Sequence, residues 1–184
     1  MPGSDAARGV RAVTATGLEV HLRDLQPVDE PSVFAMFRAV VAAGEGYPQD
    51  PALTLGDEEI RGYWIASWPA VVVATTSSGG GDERVVGSFF LKPNGVGRAA
   101  HVANAGYIVA ADVRGRGVGT VLVEHSFVLA ADLGYDALQF NFVFETNPAR
   151  RLYERMGFEV VGRVPEVIDG EAVLVYWRRL TPTG

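Results

Sequence analysis

The chain of 184 residues contains no cysteine. That absence excludes disulfides, a thiolate nucleophile and cysteine-ligated zinc, and it suits a reducing cytoplasm. Long apolar runs are missing as well. No stretch approaches the roughly 18–20 unbroken apolar residues of a membrane span, and the opening "MPGSDAARGVRAVTATG" has no apolar signal core, so no membrane association is expected. A basic excess is also lacking: 16 Lys and Arg stand against 22 Asp and Glu, a net charge of −6. Nucleic acid is therefore a disfavoured partner, because neutralising phosphates takes a positive surface. The three histidines, His21, His101 and His125, have no ligand spacing, and no metal is expected.

What remains is an ordinary globular composition, 48% hydrophobic and 21% charged, long enough to bury a full core. Residues 1–16 read as a flexible N-terminal tail and 17–181 as one domain. "LEVHLRDL" (18–25) alternates as a strand, and 29–46 reads as a helix with Pro31 in its first turn. "LGDEEIRGYWIASW" (55–68) looks like a shorter helix. "AVVVA" (70–74) and "VVGSFFL" (85–91) are strand-like runs around a long turn at 75–84.

The second half is more regular. A strand at 100–110, a helix at 120–134 capped by Gly134, and a strand at 136–145 make a parallel crossover. In the last of these, Phe140, Phe142 and Phe144 alternate with Gln139, Asn141 and Val143, which predicts one aromatic face. A helix at 148–158 follows, opened by Pro148 and closed by Gly157. Two final strands turn at "DG" (169–170). The fold class is α/β, with a mixed sheet that is antiparallel outside the crossover.

"ADVRGRGVGT" (111–120) joins strand to helix. Glycines there let main-chain N–H groups approach an anion at the positive end of a helix. Neither phosphate signature of the common kinds fits: no Lys follows Gly119, and the dinucleotide fingerprint would need glycine at Thr120. The pattern that remains, Arg114-x-x-Gly117-x-Gly119, resembles the pyrophosphate loop of the GNAT-type N-acetyltransferases. "ETNPARRLYERMGFEVVG" (145–162) is similar to a second signature of that superfamily.

The resemblance implies a central mixed sheet of about seven strands with four helices, and acetyl-CoA as co-substrate. It places the coenzyme on the main chain of Ile108, Val109, Ala110 and Ala111 and on Arg114, Gly115, Arg116, Gly117, Val118, Gly119 and Thr120. Asn147, Arg150 and Tyr153 would complete that site, with Arg116 and Arg150 as candidates for the 3′-phosphate. No covalent intermediate is needed, in keeping with the missing cysteine. Tyr153 is the candidate acid for the leaving thiolate, although its spacing with Leu152 and Met156 also suits a core aromatic. Glu45 is the candidate base, with Tyr47, Glu145 and a water relay as alternatives.

Two asparagines interrupt apolar strands, Asn104 and Asn141, and a polar group on an inner strand costs free energy unless bonded. "EGYPQD" (45–50), "YWIASW" (63–68), "ANAGYIV" (103–109) and "FNFVFETN" (140–147) are similar in wording to fungal enzymes that acetylate proline analogues such as azetidine-2-carboxylate. That resemblance implies that Asn104 and Asn141 hold a substrate carboxylate, with Phe142 and Tyr47 nearby. It also implies a homodimer. Tyr63, Trp64 and Trp68 fit either a core or an acceptor wall. A small-molecule amine is the expected acceptor. A protein N-terminus or lysine, or a non-catalytic acyl-CoA sensor, are the alternatives.

Overall fold

The computed structural model describes residues 9–66, 68–78 and 82–180. Strands β1 (Gly9–Val13), β2 (Glu19–Asp24), β3 (Ala70–Ser78), β4 (Asp82–Pro93), β5 (Val102–Val109), β6 (Ala137–Phe144), β7 (Glu159–Ile168) and β8 (Glu171–Arg179) form one sheet. Helices α1 (Glu30–Ala42), α2 (Asp57–Ile60), α3 (Val118–Asp132) and α4 (Arg150–Arg155) pack around it. The sheet order is β1-β2-β3-β4-β5-β6-β8-β7. Every pairing is antiparallel except β5 with β6.

That parallel pair shapes the molecule. β5 and β6 are in register only at Val102–Ala137 and Ala103–Leu138, and beyond those two pairs they diverge. The divergence coincides with a bulge in β6. Phe140 faces Tyr176 and Val143 faces Leu174, so Asn141 and Phe142 together oppose Val175 alone. A bulge of this kind bends the strand and releases residues from the ladder.

The two faces of the sheet bury separate clusters. One sets α3 against the strands through Leu122, Phe89, Leu138 and Tyr176. The other sets α1 and α2 against the opposite face through Val33, Phe37, Ile60, Trp64, Phe90 and Ile108. Each of these buried side chains contributes about 1.5–3 kcal/mol by leaving water. Gly87 lets α3 lie directly on β4, since a Cβ there would come within 2.9 Å of Leu122 Cδ1 and 3.1 Å of the Ile108 carbonyl.

Several expectations need correction. The sheet has eight strands rather than about seven, because Gly9–Val13 pairs with β2 inside the segment read as a flexible tail. Thr16, in the same segment, donates its hydroxyl to the Arg116 carbonyl at 2.8 Å. Short apolar stretches with arginines between them hid that strand, and residues 1–8 lie outside the described residues. The turn at 75–84 is largely strand, with Thr75, Thr76 and Ser77 paired to Val85, Arg84 and Glu83; residues 79–81 lie outside the described residues. The helix expected at 55–68 is one α-helical turn followed by a π-helical turn at Arg61–Ile65. The helix expected at 29–46 ends at Ala42. The predicted aromatic face of β6 does not exist: the bulge puts Phe140 and Val143 in the same cluster, leaving Phe142 against Phe144. The final hairpin turns at Asp169 (φ 50°) and Gly170 (φ 80°), the paired left-handed residues of a type I′ turn.

Candidate active site

The divergence of β5 and β6 opens a cleft of about 550 Å³, lined from β5 by Asn104, Gly106, Tyr107, Ile108 and Val109 and from β6 by Phe140, Asn141, Phe142 and Val143. Glu45 and Tyr47 from the α1–α2 connection, Arg114 from the glycine step, and Asn147 and Tyr153 from the α4 region also line it. The structure thus brings ten of the predicted residues to one wall or another of a single cleft.

Ala110, Ala111 and residues 115–120 do not line the cleft; Arg114, just before the start of α3, does. Gly117 caps the helix with φ 87° and offers no side chain to its first N–H groups, so Val118, Gly119 and Thr120 present main-chain donors and partial positive charge to an incoming anion. Gly115 (φ 75°) and Gly117 have left-handed backbones that favour glycine. Gly119 has neither that conformation nor a crowded Cβ position: the nearest atoms are Leu152 Cδ2 at 3.6 Å and Val109 Cγ2 at 3.9 Å. The fold does not require glycine at 119; an approaching ligand would.

Arg114 binds Glu45 across the mouth of the cleft, Nη1 to Oε2 2.8 Å, with both side chains well exposed. The other base candidates are otherwise engaged. Tyr47 donates to the Tyr107 carbonyl at 2.8 Å, and burial pushes its phenol well above the ordinary range, so it holds its proton at neutral pH. Glu145 is gripped by Arg163 through two bonds of 2.6 and 2.9 Å, and that contact lowers its pKa. Tyr153 also stays protonated, its pKa raised by burial and by neighbouring Tyr176. Its ring packs on Phe140 at 4.9 Å between centroids. It is therefore a core aromatic and a cleft residue at once.

Arg150 stands apart from the cleft. It donates to the Glu145 carbonyl at 2.6 Å and to the Tyr176 hydroxyl at 3.2 Å, in a neighbouring depression that Arg151 and Glu154 share. Those bonds give it a local role that its sequence position did not suggest. Arg116 is exposed on the glycine step. Asn147 accepts from the Ala149 N–H at 2.8 Å and so shapes the entry into α4.

A cluster of amides forms another part of the cleft wall. Asn104 Nδ2 donates to the Gln139 carbonyl at 2.9 Å and to Asn94 Oδ1 at 3.4 Å. Asn141 Nδ2 donates to the same Asn94 oxygen at 2.5 Å, while Gln139 Nε2 donates to Asn141 Oδ1 at 2.8 Å. Asn94 joins the two predicted asparagines; a turn-like "KPNG" is its only signal in the sequence. An amide carries two N–H groups, so Asn141 retains one for a ligand. Aromatics complete this part. Trp64 is fully buried and bonded to Ser88 Oγ at 3.0 Å, a core residue, whereas Tyr63 and Trp68 reach the cleft wall. Among the described residues no group of three His, Asp or Glu is arranged to hold a metal ion.

Comparison with known proteins identifies the family. Residues 41–158 match the Acetyltransferase (GNAT) family. The N-acetyltransferase aca1 of Schizosaccharomyces pombe is 29% identical over 136 residues, 68% of this chain. The matched region spans 65% of that relative, just under two thirds of its length. A GCN5-related N-acetyltransferase from Kribbella flavida superposes with a TM-score of 0.79 at 39% identity, covering 88% of this chain and 98% of that one. A phosphinothricin acetyltransferase from Sinorhizobium meliloti, solved in complex with AcCoA, shares the fold at 19% identity with a TM-score of 0.74, covering 89% of this chain and 90% of that one.

Proposed function

The chain belongs to the GNAT family of acetyltransferases, and we propose that it moves the acetyl group of acetyl-CoA to the amine of a small carboxylate-bearing molecule, an amino acid or a proline analogue. The observation that supports this reading is the cleft itself, whose lining brings together Arg114 of the glycine step, close to the start of α3, and the amides Asn94, Asn104 and Asn141. The glycine step suits a diphosphate and the amides a carboxylate.

Acetyl-CoA, when bound, supplies an activated acyl carbonyl. The chain does the rest. Main-chain N–H groups from Gly117 to Thr120 receive the diphosphate, with Arg114 adding charge once it leaves Glu45. Gly119 keeps the approach open. The backbone of Ile108 to Ala111, free of strand partners on the β6 side, accepts the coenzyme arm as an added strand, and an N–H of β5 polarises the carbonyl. Asn141 orients the acceptor through its remaining N–H, and Asn104 joins it by releasing its long 3.4 Å bond to Asn94. Glu45, exposed at the mouth, takes the amine proton directly or through water. Tyr153, protonated at neutral pH, gives its proton to the departing thiolate. In the same reading the enzyme works in the cytoplasm as a homodimer, which sedimentation velocity tests.

A thiol-release assay with acetyl-CoA across amino acids, proline analogues, polyamines and peptides tests the assignment. Turnover highest on a free amino or imino acid is the expected result. Turnover confined to peptides would move the acceptor to a protein terminus or lysine, and coenzyme binding without turnover on any amine would leave a sensor.

A further inference from the structure

The chain holds 15 arginines but a single lysine, Lys92, and that lysine lies in the cleft. It stands near the end of β4, directly across from Asn104 and two residues before Asn94. Its Nζ sits 4.8 Å from the ring centre of Trp68 and 5.4 Å from that of Phe90. Among the described residues it takes part in no ion pair. The acidic residue on the cleft wall is Glu45, and that carboxylate is held by Arg114.

From these positions we infer that Lys92 is the charged anchor for the acceptor's carboxylate, and thereby the residue that sets the acceptor class; this rests on the small-carboxylate reading above. A half-buried cation without a counter-ion is disfavoured, and the aromatic rings offset only part of that penalty. Burial indeed pulls the lysine below its ordinary pKa. A ligand carboxylate restores what the protein withholds: a counter-charge, beside the remaining N–H of Asn141. An ammonium carries three rotatable donors and acts as a point charge, which suits a carboxylate already oriented by Asn141. The same charge repels polyamines and the side chain of a lysine substrate. An arginine fork at 92 would reach further and hold the anion in a different plane.

The experiment compares Lys92→Met, which keeps the stem over the rings, with Lys92→Arg and the unaltered protein. Each is assayed on matched acceptors, L-proline against L-prolinamide and azetidine-2-carboxylate against its amide. Lys92→Met should lose about 10- to 150-fold in kcat/KM on the acids, the range of one charge-assisted hydrogen bond, and change by less than about threefold on the amides. Lys92→Arg should recover part of the preference. Calorimetry with cyclopentanecarboxylate, which has no amine, reads the same contact without turnover: binding should be present in the unaltered protein and weaker in the Met variant by the same factor. Preference for acids retained in Lys92→Met, with cyclopentanecarboxylate binding unchanged, overturns the anchor and leaves the small-carboxylate reading standing. Amides, peptides or polyamines preferred by the unaltered protein overturn both. Intact-mass detection of an acetyl group on Lys92 after incubation with acetyl-CoA would also overturn the anchor, since an acylated lysine carries no charge.

Discussion

Gly119→Ala separates what the fold needs from what the ligand needs. The residue lies in the first turn of α3, its φ is outside the left-handed range, and an added Cβ would meet Leu152 Cδ2 at 3.6 Å and Val109 Cγ2 at 3.9 Å, both ordinary contacts. Alanine in a helix is favoured over glycine by about 0.5–1 kcal/mol. At about 2–4 °C per kcal/mol for a chain of this size, the melting temperature should rise by about 1–4 °C. Coenzyme binding should move the other way. A methyl group there holds a diphosphate oxygen away from the main-chain N–H groups, and a charge-assisted hydrogen bond is worth about 1.5–3 kcal/mol, or about 10- to 150-fold in Kd. Gly117→Ala is the contrast. Its φ of 87° and a Thr14 Cβ only 3.0 Å from the new atom cost about 1–2 kcal/mol from the left-handed backbone alone, so the protein should melt lower. Scanning fluorimetry reads the first quantity and calorimetric titration with coenzyme A the second. A stable Gly119→Ala protein that binds coenzyme A as tightly as the parent would refute the placing of the diphosphate.

Four further outcomes follow from named contacts. Asp29 is only 4% exposed and is held by two bonds from Arg23, at 2.6 and 2.9 Å, and by the Gln26 N–H at 2.8 Å. Burial alone would raise its pKa, but these donors win and lower it. Asp29→Asn should therefore cost about 2–4 kcal/mol near neutral pH. Because the folded-state pKa is depressed, that difference is full above the unfolded carboxylate value of about 3.9 and shrinks as pH falls through the folded value, which acid titration of both melting curves checks. Tyr47→Phe removes the donor to the Tyr107 carbonyl and should cost about 0.5–1.5 kcal/mol; since the phenol is neutral throughout the working range, the pH profile of kcat/KM should not shift. Glu45→Gln should lower kcat by about 10²–10⁴-fold, and a full kcat would assign the proton to water. Asn141→Ala should raise the acceptor KM by about tenfold with acetyl-CoA affinity unchanged; a loss confined to acetyl-CoA binding would show that Asn141 does not face the acceptor.

The crossover was the legible part of the chain. Its strand and helix periods are long, its glycines mark a junction that little else explains, and the turn at Asp169-Gly170 uses residues chosen by backbone conformation alone. What the pattern hid arises where pairing departs from period. β1 is five residues long with half-buried positions at Val10 and Ala12 only, too weak an alternation to stand out. Asn94 follows a proline and precedes a glycine, so turn chemistry accounts for it before any ligand is considered. Lys92 follows Phe89 and Phe90 on its strand, and only the three-dimensional register shows that an amide, Asn104, lies opposite it.

The sharpest case is β6. Strict alternation through "ALQFNFVF" would place Phe140 and Phe142 together and turn Asn141 the other way. The sheet cannot keep that arrangement and also let β6 leave β5 after Leu138, because the departing strand must still satisfy its ladder with β8. One extra residue resolves the conflict: Phe140 and Val143 keep the core, and Asn141 and Phe142 are released to the cleft against a single partner, Val175. The break in pattern and the wall of the site are therefore the same two residues. A deletion that restored alternation at this point would close the cleft as it regularised the strand. The asparagine that looked anomalous on an inner strand is on the surface the bulge creates, where a polar group meets a ligand instead of a core.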